Sequence, residues 1–105
     1  MSEVAIPLNA PVATNPGSGT TPPARILVID DEAGIRESLE VLLSLEGYAT
    51  DMAGDGVEGL RMIDAGSYDL VLLDLALPGQ SGLELLPQIK ERQPELPVIM
   101  ITFSL

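Results

Sequence analysis

Cysteine and histidine are both missing from this 105-residue chain. Without cysteine there is no disulfide framework, no thiolate zinc site and no thiol nucleophile. Without histidine the chain cannot build a Ser-His-Asp triad or an imidazole general base on its own. Aromatic residues are scarce, with two Tyr, one Phe and no Trp, so an apolar share of 46% has to make a core of Leu, Ile and Val. Bases are few as well: five Lys and Arg stand against sixteen Asp and Glu, a net charge of -11. That balance repels phosphate backbones, and direct nucleic-acid binding is not expected. No apolar run approaches the ~18 residues that span a bilayer, and no Lys or Arg precedes Arg25 to head a signal peptide. The expectation is a cytoplasmic chain with no membrane association, holding at most one small domain.

Charge and pattern then divide the chain. Residues 1–24 hold Pro7, Pro11, Pro16, Pro22 and Pro23 among Gly, Ser, Thr and Asn, with Glu3 as the single charge. Such a stretch cannot offset the entropy of its own ordering and reads as a disordered, proline-rich leader. From Arg25 onward, short apolar runs alternate with amphipathic segments. Ile26 to Ile29, Leu70 to Leu73 and Val98 to Ile101 are continuous apolar runs, the habit of strands buried on both faces of a parallel sheet. Tyr48 to Ala53 is mixed in polarity and reads as an edge strand.

Between these runs lie three helical patterns. Glu32 to Glu46 carries Ile35, Leu39, Leu42 and Leu43 on one face, with Gly47 placed just past its end. The second starts at Asp55 and Glu58 with Val57, Leu60 and Ile63 as its stripe, and stops at Gly66. The third opens on a Ser81-Glu84 capping box and faces inward with Leu85, Leu86 and Ile89, while Pro87 is expected to kink it. Strands alternating with helices, joined by right-handed crossovers, make an α/β doubly wound sheet.

The chemistry gathers where the buried strands run out. Asp30 and Asp31 follow the first run, Asp74 the central one and Thr102 the last. Strands about 4.8 Å apart force such residues together on one carboxyl edge, where open α/β sheets bind ligands. At ~5 Å and an effective dielectric near 20, each like-charge pair costs on the order of 3 kcal/mol. A hard divalent ion removes that cost, and Mg²⁺ takes one or two carboxylates together with water and phosphate. With Mg²⁺ in place, Asp74 is the candidate nucleophile toward phosphorus and Thr102 a hydroxyl for a phosphoryl oxygen. For Asp30 and Asp31 alone, the competing reading is a cap on the following helix.

Four motifs together resemble one family: Ile-Leu-Val-Ile-Asp-Asp-Glu at 26–32, Tyr-Asp-Leu-Val-Leu-Leu-Asp-Leu at 68–75, Leu-Pro-Gly-Gln-Ser-Gly at 77–82 and Pro-Val-Ile-Met-Ile-Thr at 97–102. They are similar to the receiver domain of two-component response regulators, the CheY-like family. The resemblance implies a flavodoxin-like sheet of strand order 2-1-3-4. It implies phosphoryl transfer from a sensor histidine kinase to Asp74, with Mg²⁺ held by Asp30, Asp31, Asp74 and the carbonyl of Ala76. Thr102 matches the family's switch hydroxyl.

Measured against that family, residues 25–105 read as a partial receiver, incomplete after the fourth strand, with Lys90 on the wrong helix to serve as the phosphate-pairing lysine. Phe103 stands where the family usually has Ala or Gly. The exposed last strand is then an edge at which a second receiver could pair. The alternative function is a truncated receiver that acts by association without phosphorylation. A phosphohydrolase of similar architecture is disfavoured, because position 76 is Ala and supplies no second acid.

Overall fold

The computed structural model describes residues 22–102, so the leader up to residue 21 and residues 103–105, Phe103 among them, lie outside the described part. Seven elements follow in strict alternation: β1 (Arg25–Ile29), α1 (Ala33–Leu45), β2 (Ala49–Ala53), α2 (Gly56–Ala65), β3 (Leu70–Asp74), α3 (Gly82–Arg92) and β4 (Val98–Ile101). The four strands form one parallel sheet in the order β2-β1-β3-β4. This is the flavodoxin-like arrangement expected, with β2 at one edge as its mixed polarity predicted.

The two faces of the sheet are unequal. Leu27 and Ile29 of β1 join Val71 and Leu73 of β3, Ile63 of α2, and Leu85 and Ile89 of α3 in a fully buried cluster. On the opposite face α1 buries none of its residues completely. Its Ile35, Leu39 and Leu43 are half-buried, and Leu42, expected inside, is 59% exposed. An open apolar groove of about 350 Å³ runs beside it, lined by Ala24, Ile26, Leu43, Leu70 and Leu72. Ile99 of β4, in register with Leu72, is 50% exposed.

Helix ends follow local chemistry. At the end of α1 the N–H of Gly47 donates to Ser44 and that of Tyr48 to Leu43, a pairing that needs the left-handed φ of 92° which glycine adopts without a steric penalty. Asp55 caps α2 by accepting from the Glu58 N–H at 2.8 Å, while the Glu58 carboxylate reaches one residue further back, to the Gly54 N–H. Ser81 and Glu84 form the complete capping box of α3. That helix runs unbroken through Pro87. Its missing N–H strands the carbonyl of Leu83, an exposed residue where water can take over.

One inward face differs from the expected one. Val57 of α2 is 78% exposed, and the helix instead buries Gly56, Gly59 and Ile63. A Cβ on Gly59 would lie 2.6 Å from Ile29 Cδ1. The bare glycine face therefore lets α2 approach β1 more closely than an apolar stripe would allow.

Candidate cation and phosphate site

Register brings the acids together. Ile29 pairs with Leu73 and Asp74 with Ile101, so Asp30, Asp74 and Thr102 leave neighbouring strands along one carboxyl edge. One carboxylate oxygen from each of Asp30, Asp31 and Asp74 lies within 4.8 Å of the others. Asp30 and Asp74 are buried and Asp31 is exposed, which leaves the group one open side.

Each buried acid is held at one oxygen and, among the described residues, has no hydrogen-bond partner at the other. Asp30 Oδ1 accepts from the Glu32 N–H at 2.8 Å, and its Oδ2 is buried without a hydrogen-bond partner among the described residues. Asp74 Oδ1 accepts from the Ala76 N–H at 3.0 Å. The capping alternative for the Asp pair is thus met only in part. Glu32 occupies the N-cap of α1 and offers no side-chain cap, and Asp30 bonds just the entry turn. A buried, unpartnered carboxylate oxygen beside two further acids is the donor set a hard divalent cation fits.

Neighbouring backbone fixes the acids in place. The Asp30 N–H donates to the Ala53 carbonyl at 3.0 Å, and the Leu75 N–H to Ile101 at 2.9 Å. Gly82, the first residue of α3, donates to the Leu75 carbonyl at 2.8 Å and packs against the backbone of Asp74. Thr102 is exposed and follows directly on the Asp74–Ile101 pair. Lys90 is held at the other end of the sheet, its Nζ donating to the Leu96 carbonyl ahead of β4. Two contributors were not singled out from sequence. One is Gly82; the other is Arg36, whose Nη1 donates to the Asp30 carbonyl at 2.6 Å. The available signal for Arg36 was a base in the first turn of a helix, where the macrodipole disfavours it.

Burial pushes the Asp30 carboxyl above its ordinary 3.8; the Glu32 N–H opposes the shift, and the charges of Asp74, Asp31 and Glu32 add to it. A raised carboxyl in the folded state means that stability falls as pH rises from the ordinary value through the shifted one, and the penalty is complete above the shifted value. Asp30→Asn should therefore raise stability at pH 7 in metal-free buffer by about 1–3 kcal/mol, the scale of one relieved like-charge pair. Urea unfolding of both chains checks this. The gap should close as pH drops below 3.8, and added Mg²⁺ should narrow it by stabilising the wild type.

The sequence model of the response regulator receiver domain matches residues 26–104. The chain belongs to the response regulator receiver family. The receiver is 47% identical over 78 residues to the transcriptional regulatory protein DltR of Streptococcus agalactiae, covering 74% of this chain and 35% of that protein. It thus spans about a third of the length of such curated relatives.

Among solved structures, it is similar to the response regulator TrrA of Thermotoga maritima in complex with Mg²⁺-BeF, with 45% identity and a TM-score of 0.73 over 77% of this chain and 71% of that one. It is also similar to a chain in the complex of the histidine kinase ThkA with TrrA, with 46% identity and a TM-score of 0.72 over 75% and 68% of the two chains. No helix among the described residues is long and apolar enough to cross a membrane.

Proposed function

We propose that this receiver accepts a phosphoryl group from a sensor histidine kinase onto Asp74, with Mg²⁺ held by Asp30, Asp31, Asp74 and the carbonyl of Ala76. The observation that carries the reading is the buried Oδ2 of Asp30, without a hydrogen-bond partner among the described residues, inside a group of three carboxylates. The TrrA complexes with Mg²⁺-BeF and with a kinase support it by likeness. The association-only alternative has no comparable observation in its favour.

Asp74 does the bond-making. With Oδ1 anchored by the Ala76 N–H, Oδ2 is the oxygen free to attack phosphorus. The new O–P bond forms as the N–P bond of the kinase phosphohistidine breaks. The departing electron pair returns to the imidazole, whose other nitrogen carries the proton, so the ring leaves neutral. Bound Mg²⁺ supplies the positive charge that lets a phosphate approach three acids. Thr102, beside Asp74 on the next strand, donates its hydroxyl to a phosphoryl oxygen. Slow hydrolysis of the aspartyl-phosphate returns the receiver to its starting state.

The reading places the chain in the cytoplasm beside the kinase. A second receiver is the other partner it admits, paired along the outer edge of β4, where Ile99 is exposed. The decisive experiment is incubation with acetyl phosphate followed by intact-mass measurement. Mg²⁺ should permit the gain of one phosphoryl group, and a chelator should abolish it. A chain that binds Mg²⁺ and stays unlabelled defeats the reading.

A further inference from the structure

The five basic side chains of this receiver are not equivalent. Arg25, Arg61 and Arg92 each face a carboxylate, of Asp51, Glu58 and Asp64 respectively. Lys90 is tied to the Leu96 carbonyl at the far end of the sheet. Arg36 is the base at the acidic edge, half-buried, with its guanidinium on the Asp30 carbonyl. Its backbone N–H donates to the Glu32 carbonyl, so it stands in the first turn of α1, against the macrodipole. A Cβ at Gly54 would lie 3.5 Å from its Nη1, so the side chain runs from α1 across the carboxyl ends of β1 and β2.

Neutralising the Asp30 carboxylate is not what this arrangement does. Among the described residues no ion pair joins Arg36 to an acid, and its Nη1 donates to the Asp30 carbonyl. The guanidinium grips the main chain instead. The carbonyl it holds belongs to the peptide whose N–H is that of Asp31. Asp30 is thereby fastened through its own N–H to Ala53, through its carbonyl to Arg36, and through Oδ1 to the Glu32 N–H.

We propose that Arg36 is the positioning residue of the cation pocket: it fixes the plane of the Asp30–Asp31 peptide and so the separation of two of the carboxylates that face the ion. This rests on the reading that the three acids hold Mg²⁺. Like charges about 5 Å apart repel by on the order of 3 kcal/mol, and Asp31, exposed and joined to Asp30 by that one peptide, is the member free to swing outward. The tether fixes the backbone from which that side chain projects before the ion arrives. Partners that orient metal ligands typically change affinity by about 10- to 100-fold when removed.

The test is calorimetric titration of the full chain with Mg²⁺. Arg36→Met should bind about 10-fold more weakly than wild type, and Arg36→Lys, which keeps a cationic donor on a long stem, should recover most of the loss. The Asp31 amide nitrogen resonance reports directly on the tethered peptide. It should move in the Met variant while resonances of the buried α3 residues stay fixed, which a general loss of structure would not produce. If the Met variant does not fold, Arg36→Gln, whose shorter stem carries no charge, decides in its place: weaker Mg²⁺ binding with a moved Asp31 resonance supports the tether, and wild-type affinity overturns it. Equal Mg²⁺ affinity in wild type and the Met variant overturns this inference and leaves the cation reading standing. A wild-type chain that takes up no Mg²⁺ overturns both, so the two failures are told apart.

Discussion

Asp74→Asn should give a chain that folds normally and gains no phosphoryl group from acetyl phosphate. The amide has the shape of the carboxylate, and its oxygen can still accept from the Ala76 N–H as Oδ1 does at 3.0 Å. It also removes one of three mutually repelling charges, so stability should hold or rise. What disappears is the anionic oxygen proposed to attack phosphorus. Loss of a covalent nucleophile typically costs at least about 10³-fold in rate, which places labelling below detection by intact mass. Labelling of the Asn variant at the wild-type rate would move the acceptor to Asp30 or Asp31, and peptide mapping would show which.

Gly82→Ala should be the most damaging alanine substitution among the described glycines. The added Cβ would land on the Asp74 carbonyl oxygen and lie 3.0 Å from the Leu75 Cα. Both neighbours are backbone and belong to the turn that carries Asp74, so neither can rotate out of the way as a side chain would. Gly59 makes the contrast: there the obstacle is Ile29 Cδ1, the far end of a side chain that can change rotamer. Overpacking costs typically 1–3 kcal/mol, and with the rigid neighbours of Gly82 a loss of about 3 kcal/mol is expected in urea unfolding. Labelling should slow as well, because relief of the clash moves Asp74 away from Asp30. A variant with wild-type stability and labelling would show that α3 can step back from the β3 turn at no cost.

Strand positions were legible because burial on both faces leaves unbroken runs such as Leu70 to Leu73, and because an acid or a threonine ends each one. Asp30, Asp31 and Asp74 could be placed together from equal run lengths alone, which the parallel register explains. Helix interiors were harder to read. Val57 and Leu42 sit at the right spacing yet face solvent, since periodicity identifies a stripe without revealing whether anything packs against it. Two of the three buried residues of α2, Gly56 and Gly59, are glycines, which carry no hydropathic signal. Arg36 was hidden for another reason: its partner is a backbone carbonyl, and a main-chain acceptor has no letter in the sequence.

The uneven burial of the two sheet faces has a dynamic consequence. Local opening free energy follows the apolar surface an element buries. The amides of β1, β3 and α3 sit over fully buried side chains, and their exchange with solvent requires the whole domain to unfold. Helix α1, with no residue completely buried, can come away from the sheet in smaller excursions, and its amides should exchange through those. The helix that opens first is thus the one that carries Arg36 and borders the acidic pocket, so the least protected of the three helices adjoins the cluster of carboxylates.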